Sequence, residues 1–164
     1  MTKLKKNLIL LILFLFFSSC GYTPIFSKKD VNFSIENIEF FGDRFVKKRI
    51  NHTLSVYKNK SDKEKKISLV ITSLKNITIA SKNSKGEIQT NRISIDVNVK
   101  IILPKNSIVE KNFSKSSIYD VVDRKSEQKL IENKLIENLS SAIAQQVIWE
   151  ILKNTKYSQE INRK

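Results

Sequence analysis

The sequence predicts an α+β fold: a two-layer sandwich in which a four-stranded, mostly antiparallel sheet is covered on one face by two helices, in the order β-α-β-β-β-α. Three observations predict it. Residues 92–101 alternate strictly between polar and apolar, as a strand with one wet and one buried face requires. Two segments, about 44–58 and about 124–153, repeat apolar residues at helical spacing along a single stripe. Stripes and half-apolar strands can bury their apolar sides only against each other, which gives two layers around one core.

The first strand starts at Val31, Phe33 and Ile35, and Ile38 and Phe40 continue it with the opposite parity. A bulge or a kink near Glu36-Asn37 would account for the change. Gly42-Asp43 closes the strand, and Asp43 is a good N-cap for a helix starting at about 44. Val46, Ile50, Thr53, Leu54 and Tyr57 form the apolar stripe of this first helix. Lys48, Arg49, His52 and Lys58 lie off it, which makes His52 a solvated residue in this reading.

After a lysine-rich loop at 59–66, Ile67, Leu69 and Ile71 alternate with Ser68, Val70 and Thr72. Ile77 and Ile79 extend the pattern, with a slip expected near Lys75-Asn76. The polar run 81–86 is a turn. Ile93, Ile95, Val97, Val99 and Ile101 then face one way along the third strand. Pro104-Lys105-Asn106-Ser107 makes the next hairpin turn, and a fourth strand runs from Ile108 to about Ile118. Asp123 is the expected cap of the last helix, whose stripe is Ile131, Leu135, Ile136, Leu139, Ala142, Ile143 and Val147. The apolar stretch 147–152 is expected to be buried on two sides or to offer a contact surface, and 154–164 to form a polar tail.

The first nineteen residues read as a signal peptide instead of fold. Lys3, Lys5 and Lys6 precede ten consecutive apolar residues, Leu8 to Phe17. That run is too short for a hydrocarbon core that takes about 20 helical residues to cross. Phe17-Ser18-Ser19-Cys20 resembles a lipobox, with Phe where Leu is usual. Cys20 is the single cysteine of the chain and is the expected lipidation site. Diacylglyceryl on the thiol and a further acyl group, such as palmitate, on the new amine would anchor it, because each buried CH2 contributes about 0.8 kcal/mol and one chain alone is marginal. The organisation expected is a signal peptide at 1–19, a lipidated tether at 20–30, a folded domain at 31–153 and the tail at 154–164. Gly21 stands where Asp would favour retention at the inner membrane, so the expected location is the outer membrane, on its periplasmic side.

Composition narrows the chemistry. The chain has 164 residues, 3 Gly, 2 Pro, one Cys and one His. Three glycines leave no Gly-rich phosphate loop. One Cys and one His leave no disulfide framework, no Cys-based zinc site and no multi-His metal centre. No G-x-S-x-G is present. The expectation is therefore no catalytic residue, no metal and no cofactor. The formal charge is +14, and loss of residues 1–19 removes three Lys and no acid, leaving 27 basic against 16 acidic residues, +11. A charge of that size suggests an anionic partner; the alternative is compositional, since a chain rich in Lys, Asn and Ile together is what an AT-biased genome produces. Export makes nucleic acid an unsuitable one.

The element order, the start CGYTPIF after the signal peptide, the long middle hairpin with IILPKNSI at its turn and the closing amphipathic helix together resemble the LPS-assembly lipoprotein family, LptE. Members of that family sit in the lumen of the outer-membrane β-barrel LptD, plug it, assist its assembly and bind lipopolysaccharide in cell-envelope biogenesis of Gram-negative bacteria. The resemblance implies two clusters of lipopolysaccharide-contacting cations. One matches Lys82, Lys85 and Arg92 before and in the third strand. The other matches Arg124, Lys125 and Lys129 at the start of the last helix. Each lysine, taken alone, reads as a solvated surface charge before it reads as a ligand. The alternative function is an accessory lipoprotein of another envelope lipid-transport system, an auxiliary subunit of the ABC type.

Overall fold

The computed structural model describes residues 31–104 and 107–161, with side chains up to 155. The signal peptide, Cys20 and the tether lie outside the described residues, as do Lys105 and Asn106 of the second turn. One compact unit spans Asn32–Lys164. Its elements are β1 (Phe33–Gly42), α1 (Arg44–Leu54) extended by a 3-10 turn at Ser55–Tyr57, β2 (Lys65–Lys82), β3 (Ile88–Ile102), β4 (Ile108–Asp120) and α2 (Lys125–Ile161). The order β-α-β-β-β-α and the two helices are those the sequence predicts.

The four strands form one sheet in the order β1-β2-β3-β4. β2, β3 and β4 pair antiparallel, and β1 pairs parallel with β2. Parallel neighbours need a crossover, and α1 supplies it. The expected bulge is present: Ile35 pairs with Ile67, Asn37 with Ser68, and Glu36 is the extra residue. It returns Ile38 and Phe40 to the face of Ile35, beside Leu69 and Ile71.

Gly42 ends β1 at φ +110, and a Cβ there would lie 2.0 Å from the Ser73 carbonyl oxygen. Only glycine permits both the left-handed backbone and that approach. The chain then turns into α1, where Asp43 caps the helix as expected. Its Oδ1 accepts from the backbone N–H of Phe45 (2.8 Å) and Val46 (3.1 Å). Val46, Ile50 and Leu54 are fully buried, facing the sheet and α2. Ile67, Leu69, Ile71, Ile93, Ile95, Val99, Ile101, Ile143 and Ile151 complete a core rich in isoleucine.

The expected slip near Lys75-Asn76 does not occur. β2 stays in register with β3 from Ser68 to Ile79, and the irregularity falls at Ile79–Lys82. Ile67, Ile71, Ile77 and Ile79 share one parity throughout. The pattern seen in sequence is broken because Ser73 and Lys75 occupy core-face positions between them, and both serve the corner where β1 becomes α1. Ser73 Oγ accepts from the Asp43 N–H (3.2 Å), and Lys75 Nζ lies 2.7 Å from Asp43 Oδ2.

Two expectations for the last helix are corrected. The Arg124 carbonyl accepts the first helical bond, from the Gln128 N–H at 3.0 Å, so the cap position is Arg124 and not Asp123. The helix also continues past 153 to Ile161, in place of the predicted tail. Residues 154–161 contain no Gly or Pro to stop it, and Thr155 is still buried. At 37 residues α2 is about 55 Å long. Within 147–152, Val147, Ile148 and Ile151 are buried and Trp149 is exposed. Glu132 and Glu150, which interrupt the stripe, are both partnered: Glu132 by Tyr119 and Gln128, Glu150 by Asn154 and Lys111.

Candidate functional site at the tip of the long hairpin

β2 and β3 run on beyond β1, whose last pair is Gly42 with Ser73. From the Lys65 pair of Phe33 to Lys82 the strand rises about 55 Å. The fold therefore has two ends. One holds the start of β1, the lysine-rich loop, the turn after Leu103 and the C-terminal part of α2, where Lys65 Nζ donates to the Thr155 carbonyl. The other, the tip, holds the β2–β3 turn and the β4–α2 connection.

All six cations named from the sequence lie toward the tip. Lys82 ends β2, and Lys85 sits in the turn. The turn is organised by Asn83, whose Oδ1 accepts from the N–H groups of Lys85 (2.9 Å) and Glu87 (3.0 Å). Arg92 stands on the uncovered face of β3, across from Thr78 and Ile118, with Nη1 3.4 Å from Ser116 Oγ. β4 delivers the chain to the same end: Thr90 pairs with Asp120, and the Val121 N–H donates to the Gln89 carbonyl at 2.9 Å. Arg124, Lys125 and Lys129 come next, at the start of α2. The six side-chain positions are exposed, and none forms an ion pair among the described residues.

The start of α2 is held in place by a short network. Tyr119 OH donates to Glu132 Oε1 (2.8 Å), and Gln128 Nε2 donates to the same oxygen (3.0 Å). Gln128 Oε1 accepts from the Val122 N–H (3.0 Å). Burial and the neighbouring Glu132 carboxylate push the Tyr119 phenol up to about 12. These bonds fix where Arg124, Lys125 and Lys129 stand relative to β4. Three cations at the positive end of a helix dipole oppose helix stability, and Glu127 in the first turn offsets part of it. The arrangement leaves unpaired donors and a positive helix end facing one region of solvent. The tip also carries Glu87, Asp120, Asp123 and Glu127, so six cations face four acids. Its net excess is only +2, so an anion there would be held by individual donors and not by a broad field.

At the corner where β1 ends, midway along β2, burial raises the Asp43 carboxyl, but the Lys75 ammonium and the two capping N–H groups outweigh it and hold it below its usual range.

A feature that sequence reasoning misses is the seam between the helices. Phe45, Lys48, Arg49, His52, Ile136 and Glu137 line a groove of about 420 Å³. Arg49 lies off the apolar stripe as expected, yet it is not simply solvated. Its Nη1 pairs with Glu137 Oε1 (2.8 Å) and its Nε donates to Ser141 Oγ (2.6 Å). Nothing in a single sequence brings residue 49 beside 137 and 141. His52 is exposed and edges the same groove. Among the described residues no three His, Cys, Asp or Glu side chains converge on a metal-sized site, and no helix is long and apolar enough to cross a membrane.

These elements define the class of fold: a four-stranded mixed sheet, backed on one face by a crossover helix and a long terminal helix. Solved bacterial lipoproteins share it. The rare lipoprotein B of Shewanella oneidensis is similar over 76% of this chain and 99% of its own, with a TM-score of 0.55 and 13% identity. An uncharacterized lipoprotein B of Nitrosomonas europaea is similar over 84% of this chain and 96% of its own, with a TM-score of 0.55 and 14% identity. A minor lipoprotein of Acinetobacter baumannii covers 76% of this chain and 94% of its own at the same TM-score, 0.55, and 14% identity. At these identities the likeness is one of fold. No protein-family model and no curated protein matches the sequence.

Proposed function

We propose that this protein is an envelope lipoprotein, tied through acyl chains on Cys20 to the periplasmic side of the outer membrane, that joins and plugs an LptD-type β-barrel and binds lipopolysaccharide on its way to the outer leaflet. The role is one of binding and shape, with no bond-making step. The observation that carries the reading is the fold shared with three bacterial lipoproteins over three quarters or more of the chain. The chain's own lipobox-like segment supports it independently.

The chemistry rests on the two faces and the tip. The uncovered face of the sheet carries Thr72, Ser94, Asn98, Asn112 and Ser114 among the charged Asp96, Lys100 and Glu110, a largely polar surface compatible with a water-filled barrel lumen, interrupted by the exposed Leu74 and Ile118. The six tip cations offer charge-assisted hydrogen bonds to lipid A phosphates, where the planar guanidinium groups of Arg92 and Arg124 can bind two oxygens at once. Such contacts would compete with the divalent cations that hold lipopolysaccharide molecules together. The tip lies about 55 Å from the start of β1, so an anchored chain would reach away from its lipid.

Three measurements test this. Tagged protein taken from detergent-solubilised outer membranes should bring down a large barrel, and the reading is dropped if none comes. C20A should lose palmitate labelling and leave the membrane fraction; unchanged attachment contradicts the anchor. Charge reversal at K82E with K85E should weaken lipopolysaccharide binding several-fold, with a shallower salt dependence than the parent protein. Unaltered binding removes those two residues from the proposal.

A further inference from the structure

The outer edge of β2 has no partner strand beyond Ser73 among the described residues. Its backbone can be read from the alternation. The Ser73 carbonyl oxygen faces Gly42 of β1. Along a strand, N–H and C=O groups point to alternate sides, so those of Lys75, Ile77 and Ile79 point away from β3 into the open edge. The pairing across the sheet agrees. The even-numbered residues of β3 then bond to β2 and the odd-numbered ones to β4, as the Val121 N–H on the Gln89 carbonyl requires.

This edge lacks the devices that usually blunt one. Residues 76–81 carry no charge, no proline and no bulge before Ile79. β4, the edge on the far side, carries Glu110, Lys111 and Lys115 along its length. The side chains of Ile77 and Ile79 point to the same face as the buried Ile67, Leu69 and Ile71, yet are 44% and 51% exposed. Unpaired backbone groups and exposed alternate isoleucines on one segment are what an added strand needs: main-chain bonds for affinity and side-chain contacts for choice.

We infer that residues 75–81 of β2 form a docking edge for an extended segment of a partner protein, apolar at alternate positions and acidic at its ends. The chemistry of the occupant is set by the groups that flank the edge. Lys82 and Lys85 stand at one end, with Glu87 beside them, and exposed Arg44 stands at the other, next to the Lys75–Asp43 ion pair. A second copy of this chain fits poorly, because it would bring Arg44 and Lys82 of both molecules into one ladder between chains that are each strongly basic, 27 basic against 16 acidic residues from Cys20 onward. An acid at each end of an incoming strand meets those cations instead. The inference does not depend on lipopolysaccharide binding.

The test uses the full-length protein in detergent and a labelled nine-residue peptide with valine at alternate positions, threonine between them and aspartate at both ends. The peptide should bind at least ten-fold more tightly than the same peptide with lysine ends, and salt should narrow the difference. On binding, amide exchange should slow at Lys75, Ile77 and Ile79. I77P removes an outward N–H that β3 does not use, so the fold should persist while binding falls at least ten-fold. If I77P proves unfolded, the double variant I77K with I79K, on exposed side chains, should give the same loss. Any of these outcomes overturns the inference: no binding of the acid-ended peptide, equal binding of the lysine-ended one, binding unaffected by these variants, or an unliganded dimer that I77P abolishes. Protection falling on β4 instead of β2 overturns it as well.

Discussion

β2 is two strands in one. Its lower half, 67–73, lies between β1 and β3 and under both helices, and Ile67, Leu69 and Ile71 are fully buried there. Its upper half, 74–82, stays in register with β3 as far as Ile79 but has lost β1, and Ile77 and Ile79, on the same face, stand in solvent. Identical residue types in identical backbone geometry thus differ in burial because of what surrounds them. Apolar alternation specifies which face a residue takes; neighbouring elements decide whether that face is covered.

The largest test of this contrast is I71A against I79A. Ile71 is 0% exposed, and its truncation should cost about 2–5 kcal/mol, read as a shift in the urea midpoint. The same truncation at Ile79 should stay within about 0.5 kcal/mol. Equal costs would mean that the upper half is packed as tightly as the lower.

Next comes the tip network. Y119F removes a donor to the Glu132 carboxylate and should cost about 1.5–3 kcal/mol in the same assay. The raised phenol adds a pH signature. A folded-state value of about 12 against an ordinary one of about 10 means that the native state holds its proton longer than the unfolded chain. Stability should be full below about pH 10 and fall as pH rises toward 12, and Y119F should flatten that fall. A wild-type profile no steeper than that of Y119F would show that the bond to Glu132 does not hold the helix start.

The smallest effect belongs to the corner that separates the two halves. D43A should cost about 1 kcal/mol through loss of the cap. D43N keeps the cap and loses only the ion pair with Lys75, so it should cost less. Because the Asp43 carboxyl is held low in the fold, its stabilisation is present above the unfolded value and is lost as pH falls below about 4. D43N should therefore lose less stability than the parent in that acid range. Equal costs for the two variants would make the Lys75 pair the dominant part.

Much of the fold is legible in the sequence because it rests on local signals. The five alternating apolar residues of β3 are all buried, the bulge sits at Glu36, and Asp43 caps α1. The features that escape are set at long range. Ser73 and Lys75 resemble a fault in the strand, since their polar roles depend on Asp43, thirty residues earlier. The end of α2 is hidden because polar composition reads as tail, although no residue there breaks a helix. The parallel pairing of β1 leaves no mark in one strand's pattern. For the candidate site, residue types point to six cations, and the fold brings them to one end. The open edge is invisible, because it exists only through the difference in length between two adjacent strands.

That difference, ten residues in β1 against eighteen in β2, makes recognition here a matter of where a neighbour stops. Gly42 marks the stop, since no other residue can sit so close to Ser73. An insertion of a few strand-forming residues before it would sheathe the exposed ladder without altering one core side chain. Relatives with a longer first strand would then share this architecture while being sealed against the same visitor.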